Sequence, residues 1–334
     1  MIVDVHAHYT MAPPELLAYR GTQLAQLNKP RRKPLTLSDE RVEQSLAGLF
    51  AAMDAREVDV LAFSPRAAGM GHDLGSEAVS RAWTEVCNDL VAQACALAPT
   101  RLIPVCQLPQ SPGAPITGLL EEVDRRAAMG FAGCLVNPDV TGGEPPWTPS
   151  LGDEWWYPLW EALSRLEMPA MIHASATRNP AMHMNASHYV AWDLAATVEL
   201  CASKVFDDFP TLKIIVPHGG GAVPYQFNRL RAVHAAERRA PFEEMARRLW
   251  FDTAVYDQDS LKMLIDKVGS DRVVFGSEMF GTGKAIDPVT GAPFDNNLPL
   301  IEGLGLAPEE RQAILCDNAK TLFNRAAVFQ GERL

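Results

Sequence analysis

Ile2-Val3-Asp4-Val5-His6-Ala7-His8 opens the chain with a short β-branched run that ends in two histidines. A doubly wound open sheet would place a glycine-rich turn directly after its first strand. Here the strand runs into a pair of imidazoles instead of a phosphate cradle. Apolar runs like Ile2–Val5 recur at Val58–Phe63, Leu102–Cys106, Gly133–Val136, Ala170–Ile172, Lys213–Val216, Leu249–Asp252 and Val273–Phe275, which makes eight. Their hydrophobicity is continuous, as expected of parallel strands covered on both faces. Between them lie stretches with helical periodicity: Glu40–Glu57, Ser76–Leu97, Ile116–Met129, Asp153–Leu166, Ala191–Asp207, Pro224–Arg239 and Ser260–Val268, with Pro308–Phe329 closing the chain. Strand then helix, eight times, predicts an α/β fold, a (β/α)₈ TIM barrel filling residues 1–334 as one domain. Three stretches that follow strand ends, about 11–38, 139–150 and 281–299, are expected to be inserted loops at the C-terminal face of the strands.

Composition narrows the function. A chain of 334 residues, 47 % hydrophobic and 21 % charged, has the apolar content for a large core and is neither disordered nor fibrous. Its net charge of −11, with no basic run, argues against a nucleic-acid partner. The amino terminus lacks the basic and apolar segments of a signal peptide, and no stretch approaches about 18 uninterrupted apolar residues. Neither export nor a membrane span is therefore expected. Cys87, Cys95, Cys106, Cys134, Cys201 and Cys316 form no C-x-x-C pair and predict reduced core thiols in a cytoplasmic protein.

A barrel enzyme keeps its chemistry where the strands end. Those ends carry His6 and His8, Ser64 and Arg66, Gln107 and Gln110, Asn137 and Asp139, His173, His218, Asp252 and Glu278. Two histidines two apart on a strand share a face and can take one metal ion. Alone, a His-x-His is most simply a pair of solvated or core histidines. With His173 and Glu278 entering the same mouth, four N/O donors converge, a set that suits Zn²⁺ and also accepts Mn²⁺ or Fe²⁺. A metal lowers the pKa of a coordinated water towards about 7, so His218, or Glu278, is placed to take its proton. The bland alternative for His218 is a ring packed under the Gly219-Gly220-Gly221 run, which itself is expected to be backbone making room beside a site. Arg66 suits a bidentate grip on a substrate carboxylate. Arg229 and Lys284 are weaker candidates of the same kind, and Asn179 and Tyr189 offer hydrogen bonds from the segment crossing the mouth after His173. His183 and His188 are expected in loops, His72 and His234 on the surface.

Several of these stretches carry a family resemblance. They are Asp4-Val5-His6-Ala7-His8-Tyr9-Thr10, Phe63-Ser64-Pro65-Arg66-Ala67, Leu108-Pro109-Gln110-Ser111-Pro112, Leu135-Val136-Asn137-Pro138-Asp139, Pro169-Ala170-Met171-Ile172-His173, Pro217-His218-Gly219-Gly220-Gly221-Ala222-Val223-Pro224-Tyr225 and Phe275-Gly276-Ser277-Glu278-Met279. Over nearly its whole length the chain resembles the amidohydrolase superfamily, in the branch of metal-dependent decarboxylases and hydratases typified by aminocarboxymuconate semialdehyde decarboxylase. The resemblance implies a barrel with one Zn²⁺ on His6, His8, His173 and Glu278, His218 as proton-transfer residue, and a homo-oligomer. Most relatives carry Asp at the Glu278 position. The longer carboxylate favours a hydratase that adds water reversibly across the double bond of 4-oxalomesaconate or a similar unsaturated polycarboxylate. The expected partner is thus a small anionic carboxylate. Non-oxidative decarboxylation of a small aromatic or enol acid is the alternative, followed by hydrolysis of a lactone or amide and by a metal-free binding protein. Three positions depart from the hydratase pattern: Arg178 replaces a Cys, Asp257 a His and Lys284 an Arg.

Overall fold

In the computed structural model, which describes residues 1–27, 34–141 and 145–331, eight parallel strands form one sheet in chain order. They are β1 (Val3–His8), β2 (Val60–Ser64), β3 (Leu102–Gln107), β4 (Gly133–Val136), β5 (Ala170–Ile172), β6 (Ile214–Val216), β7 (Trp250–Asp252) and β8 (Val273–Val274). Every strand residue except Pro104 is buried, which accounts for the continuous hydrophobicity of the runs. The sheet closes where the Val5 N–H donates to the Phe275 carbonyl at 2.9 Å and the Glu278 N–H to the His6 carbonyl at 2.9 Å. The predicted (β/α)₈ barrel is the observed fold.

Seven helices surround it: α1 (Asp39–Ala55), α2 (Glu77–Leu97), α3 (Thr117–Ala128), α4 (Tyr157–Leu166), α5 (Tyr189–Ala202), α6 (Val223–Ala236) and α7 (Gln258–Val268). The predicted helix Ala191–Asp207 ends early because Ser203 is extended, with φ −97° and ψ −179°, and a short turn at Val205–Asp208 follows it. The predicted closing helix is a succession of Pro308–Gln312, Ala313–Asp317 and Asn318–Leu322, stopped at Phe323, with Ala327–Gln330 beyond it. Cys316, Leu322, Phe323 and Phe329 from this succession pack with Val3, Val5, Val60, Ile103 and Val274, closing the barrel interior from below. The first inserted stretch holds a further helix, Pro14–Leu24. Its residues 28–33 and the glycine pair Gly142-Gly143 of the second lie outside the described residues. No helix among the described residues is long and apolar enough to cross a membrane, and all six cysteines are free and buried.

A regular strand would send Val3 and Val5 to one face and His6 and His8 to the other. Here β1 loses register with β2 between Asp4 and Ala7. Below that irregularity Val3 and Val5 pack in the barrel interior, and above it His6 and His8 turn into the mouth. The buried Asp4 carboxylate pins the spot by accepting from the N–H groups of His6 at 3.0 Å and Ser277 at 3.1 Å, and from the Ser277 hydroxyl at 2.5 Å. Such irregularities re-aim side chains next to active sites.

Two histidines expected on the surface are core residues. His234 donates through Nδ1 to the Ala240 carbonyl at 2.8 Å, in the segment that follows α6. His72 is 1 % exposed, with Nδ1 3.0 Å from the Ser80 hydroxyl. Burial, aided by the nearby Arg20 charge, pushes its pKa down from 6.5 to about 3. The unfolded chain therefore takes up the proton first as pH falls, so the stability gained from a neutral His72 is complete above about 6.5 and lost below it. Between pH 7 and pH 5 the wild type should lose about 2 kcal/mol more stability than His72→Gln, at about 1.4 kcal/mol per pH unit below 6.5. Urea unfolding at the two pH values measures this; equal losses would show that His72 is not the group responsible.

Candidate metal centre and the cavity beside it

His6, His8, His173 and Glu278 are all buried, and one donor atom from each lies within 4.8 Å of the others. What stands behind each ring decides which nitrogen carries the proton. His173 Nδ1 is 2.9 Å from the Ala174 carbonyl, which can only accept, so Nδ1 holds the hydrogen. His6 Nδ1 is 2.6 Å from Asp252 Oδ2, again an acceptor. His8 Nδ1 is 2.8 Å from Ser64 Oγ, whose own hydrogen has the Ala7 carbonyl at 3.1 Å and the Pro65 carbonyl at 3.2 Å to go to. Ser64 Oγ therefore accepts from His8. All three rings are left with a bare Nε2.

Burial holds His8 and His173 well below the ordinary histidine pKa, and the neighbouring histidines push the same way. Neutral, they set two lone pairs against each other, Nε2 to Nε2, at 3.3 Å. His6 Nε2 is buried without a partner. A tetrahedral ion with ligands about 2.0–2.1 Å away holds them roughly 3.3–3.4 Å apart. The donor set, its spacing and its orphaned nitrogens therefore fit a divalent metal, each imidazole oriented from behind as metal-bound histidines are.

His218 stands at the end of β6 with a left-handed φ of +50°, at the head of three glycines that all have positive φ. Those glycines make room, as the sequence predicted: a β-carbon at Gly221 would lie 2.3 Å from the Val190 carbonyl oxygen, and one at Gly219 2.6 Å from Val255. His218 Nδ1 is 2.9 Å from Asp193 Oδ2, and Nε2 is 3.8 Å from Glu278 Oε2. Burial disfavours its charged form, but the carboxylates of Asp193, Glu278 and Asp252 outweigh burial and raise its pKa to about 10. Tyr189 lies parallel to the His218 ring, centroids 6.1 Å apart, with its hydroxyl buried and unpartnered. His218, Tyr189 and Tyr256 form the polar side of a cavity of about 380 Å³ that runs out between α5, α6 and α7.

The other predicted residues divide. Arg66 is exposed at the mouth, and its charge is felt at His8 and Tyr189. Asn179 is exposed, and its Oδ1 accepts from the Ala181 N–H at 3.0 Å, a turn contact. Arg229 and Lys284 are exposed and do not line the cavity. Of the departures, Arg178 is paired with Asp73 at 2.7 Å. Asp257 is exposed and caps α7, accepting from the Ser260 N–H at 2.8 Å. His188, expected in a loop, is buried in the turn that leads into α5. Sequence reasoning gave no role to Asp252, Asp193 or Tyr256. Asp193 carried a signal, standing four residues after Tyr189 on one helix face.

A model of the amidohydrolase family matches residues 3–325. The chain belongs to that family. A 2-keto-4-carboxy-3-hexenedioate hydratase from Sphingobium sp. strain SYK-6 is 38 % identical over 330 residues, 97 % of this chain and 96 % of that protein. The crystal structure of a 4-oxalomesaconate hydratase from Rhodopseudomonas palustris superposes with a TM-score of 0.88 at 35 % identity, covering 97 % and 96 % of the two chains. A dihydroxybenzoic acid decarboxylase from Polaromonas sp. JS666, with bound manganese, shares the fold at a TM-score of 0.71 and 19 % identity, covering 97 % and 96 %. Amidohydrolases are metal-dependent, which accords with the His/Glu cluster. Asp252→Asn, which leaves His6 in place but unsettles its tautomer, should weaken metal binding about 10- to 100-fold. Chelator competition measures this, and an unchanged affinity would separate Asp252 from the cluster.

Proposed function

We propose that this amidohydrolase is a hydro-lyase that adds water to a carbon–carbon double bond conjugated to a carbonyl, in 4-oxalomesaconate or a similar unsaturated carboxylate. The observation that carries the reading is the meeting, in one barrel mouth, of the four-donor cluster with the Asp193–His218 pair. The two hydratases described above give the reaction its direction. In this reading His6, His8, His173 and Glu278 hold Zn²⁺, in preference to Mn²⁺ or Fe²⁺, because three imidazoles and one carboxylate suit it. The bound metal supplies Lewis acidity and acidifies water.

The chain's own groups do the rest. Arg66 takes a substrate carboxylate at the mouth, where a guanidinium can grip both oxygens. The unpartnered Tyr189 hydroxyl, buried beside His218, donates to a second substrate oxygen and helps hold the charge that develops on the conjugated carbonyl. His218 moves the proton: Asp193 fixes Nδ1, so Nε2 alone faces the cluster. One proton leaves the attacking water and one arrives at the carbon next to the carbonyl, so H and OH add across one double bond and the substrate undergoes no net redox change. The reading includes one catalytic unit over residues 1–334, a homo-oligomer, and the cytoplasm as location, in keeping with six free thiols.

Incubated with 4-oxalomesaconate, the metal-loaded protein should bleach the conjugated absorbance and yield a product that has gained water. Mass spectrometry decides the matter, since loss of CO₂ would turn the assignment to a decarboxylase. His173→Ala should lose both metal and turnover; full activity in that variant would remove the cluster from the reaction.

A further inference from the structure

Glu278 is the member of the cluster with the most freedom, because a glutamate has one more side-chain torsion than a histidine. The structure removes that freedom. The Tyr256 hydroxyl donates to Glu278 Oε2 at 3.1 Å. Gly281 also packs on it: a β-carbon there would lie 2.6 Å from Cδ and 2.8 Å from Cγ of Glu278, nearer than side chains approach. Two residues on, a β-carbon at Gly283 would lie 2.7 Å from Cζ and 2.9 Å from Cε1 of Tyr256. The turn Gly281-Thr282-Gly283 is thus shaped to the carboxylate with its first residue and to the phenol ring with its third.

The backbone supports the same point. Seven described non-glycine residues have positive φ. Glu57, Glu167 and Arg238 sit at or just past helix ends, where such angles are ordinary. The other four, His218, Tyr256, Glu278 and Phe280, gather here. Strain of this kind persists only where the surroundings over-determine it, and it collects at functional sites. Tyr256 at +59° and Glu278 at +51° meet through those angles.

We propose that Tyr256, seated by Gly283, is a positioning residue that fixes the Glu278 carboxylate for the metal, with Gly281 closing the space into which that carboxylate would otherwise swing. This rests on the reading of Glu278 as a metal ligand. Groups behind a ligand typically carry a 10- to 100-fold share of metal affinity. Tyr256 is the fourth such support, after Asp252 for His6, Ser64 for His8 and the Ala174 carbonyl for His173.

The test is a mutant cycle on the whole protein, read as Zn²⁺ affinity by competition with a chromophoric chelator and as thermal unfolding of the metal-free form. Tyr256→Phe removes only the hydroxyl and should weaken Zn²⁺ binding about 10- to 100-fold, with the metal-free midpoint unchanged. Gly283→Ala pushes the ring off Glu278 and should weaken Zn²⁺ binding to a similar extent, but its β-carbon would also lie 2.9 Å from Asp295 Cβ, so its metal-free midpoint should fall. The double variant should be no weaker than the worse single, because both changes remove one hydrogen bond. In a Glu278→Asp background, where the carboxylate is withdrawn from the phenol, Tyr256→Phe should have no further effect. Wild-type affinity in Tyr256→Phe, or effects that multiply in the double variant, would overturn the proposal while leaving the metal site standing. A wild type that takes up no Zn²⁺ would overturn both.

Discussion

Two bare, buried imidazole nitrogens face each other across 3.3 Å in the barrel mouth, and this opposition constrains everything around it. Neither ring can relieve it by turning over. A carbonyl stands behind His173, so a flipped tautomer there would set acceptor against acceptor, and flipping His8 would require the Ser64 hydroxyl to leave the Ala7 and Pro65 carbonyls. Nor is protonation an easy escape, since burial and the neighbouring rings disfavour a charge on either imidazole. A cation shared between the lone pairs is the complement the fold has prepared.

That preparation depends on the seam between β1 and β8. The last strand must come close enough to the first for Glu278 to join histidines more than 250 positions earlier in the chain. Gly276 makes the approach feasible, because a β-carbon there would lie 2.9 Å from Asp252 Cβ and 3.0 Å from His6 Cβ. Asp4 ties the seam by binding Ser277 through both backbone and hydroxyl, and burial raises its pKa to about 6 despite those bonds. On the other edge of β1, where it pairs with β2, lies the register irregularity that turns His6 and His8 inward. Barrel closure and site assembly are therefore one event, and a barrel open at this edge would hold the ligands apart.

The fold and the cluster were legible because both are written in short range. A buried parallel strand is apolar at every position, so the eight runs stand out, and a polar residue where such a run ends is conspicuous. The supports were less legible, because they depend on what the chain does between strands. His6 and His8 two apart suggested a shared face, but the irregularity between Asp4 and Ala7 had no sequence signature. Tyr256 drew no role from the sequence, since its left-handed backbone is what brings the hydroxyl to Glu278. His72 and His234 were misplaced for a related reason: Ser80 and the Ala240 carbonyl, which satisfy them, cannot be paired with them from spacing alone. Asn179, Arg229 and Lys284 were candidates by residue type, and residue type does not show where a side chain points.

The length of the side chain at position 278 bears most directly on the kind of chemistry. Decarboxylation needs a proton delivered to carbon after CO₂ departs, and one acid suffices. Hydration needs a proton taken from water and a proton given to carbon, so it engages a base and an acid, or one group in both roles. His218 Nε2 and Glu278 Oε2 are 3.8 Å apart, within reach of a small relaxation, while the Tyr256 hydroxyl donates to the same oxygen. An aspartate here would sit one methylene further back and lose both contacts. In the proposed reading the glutamate would belong to the cluster and to the proton path at once, and its contacts with both His218 and Tyr256 are what that reading rests on.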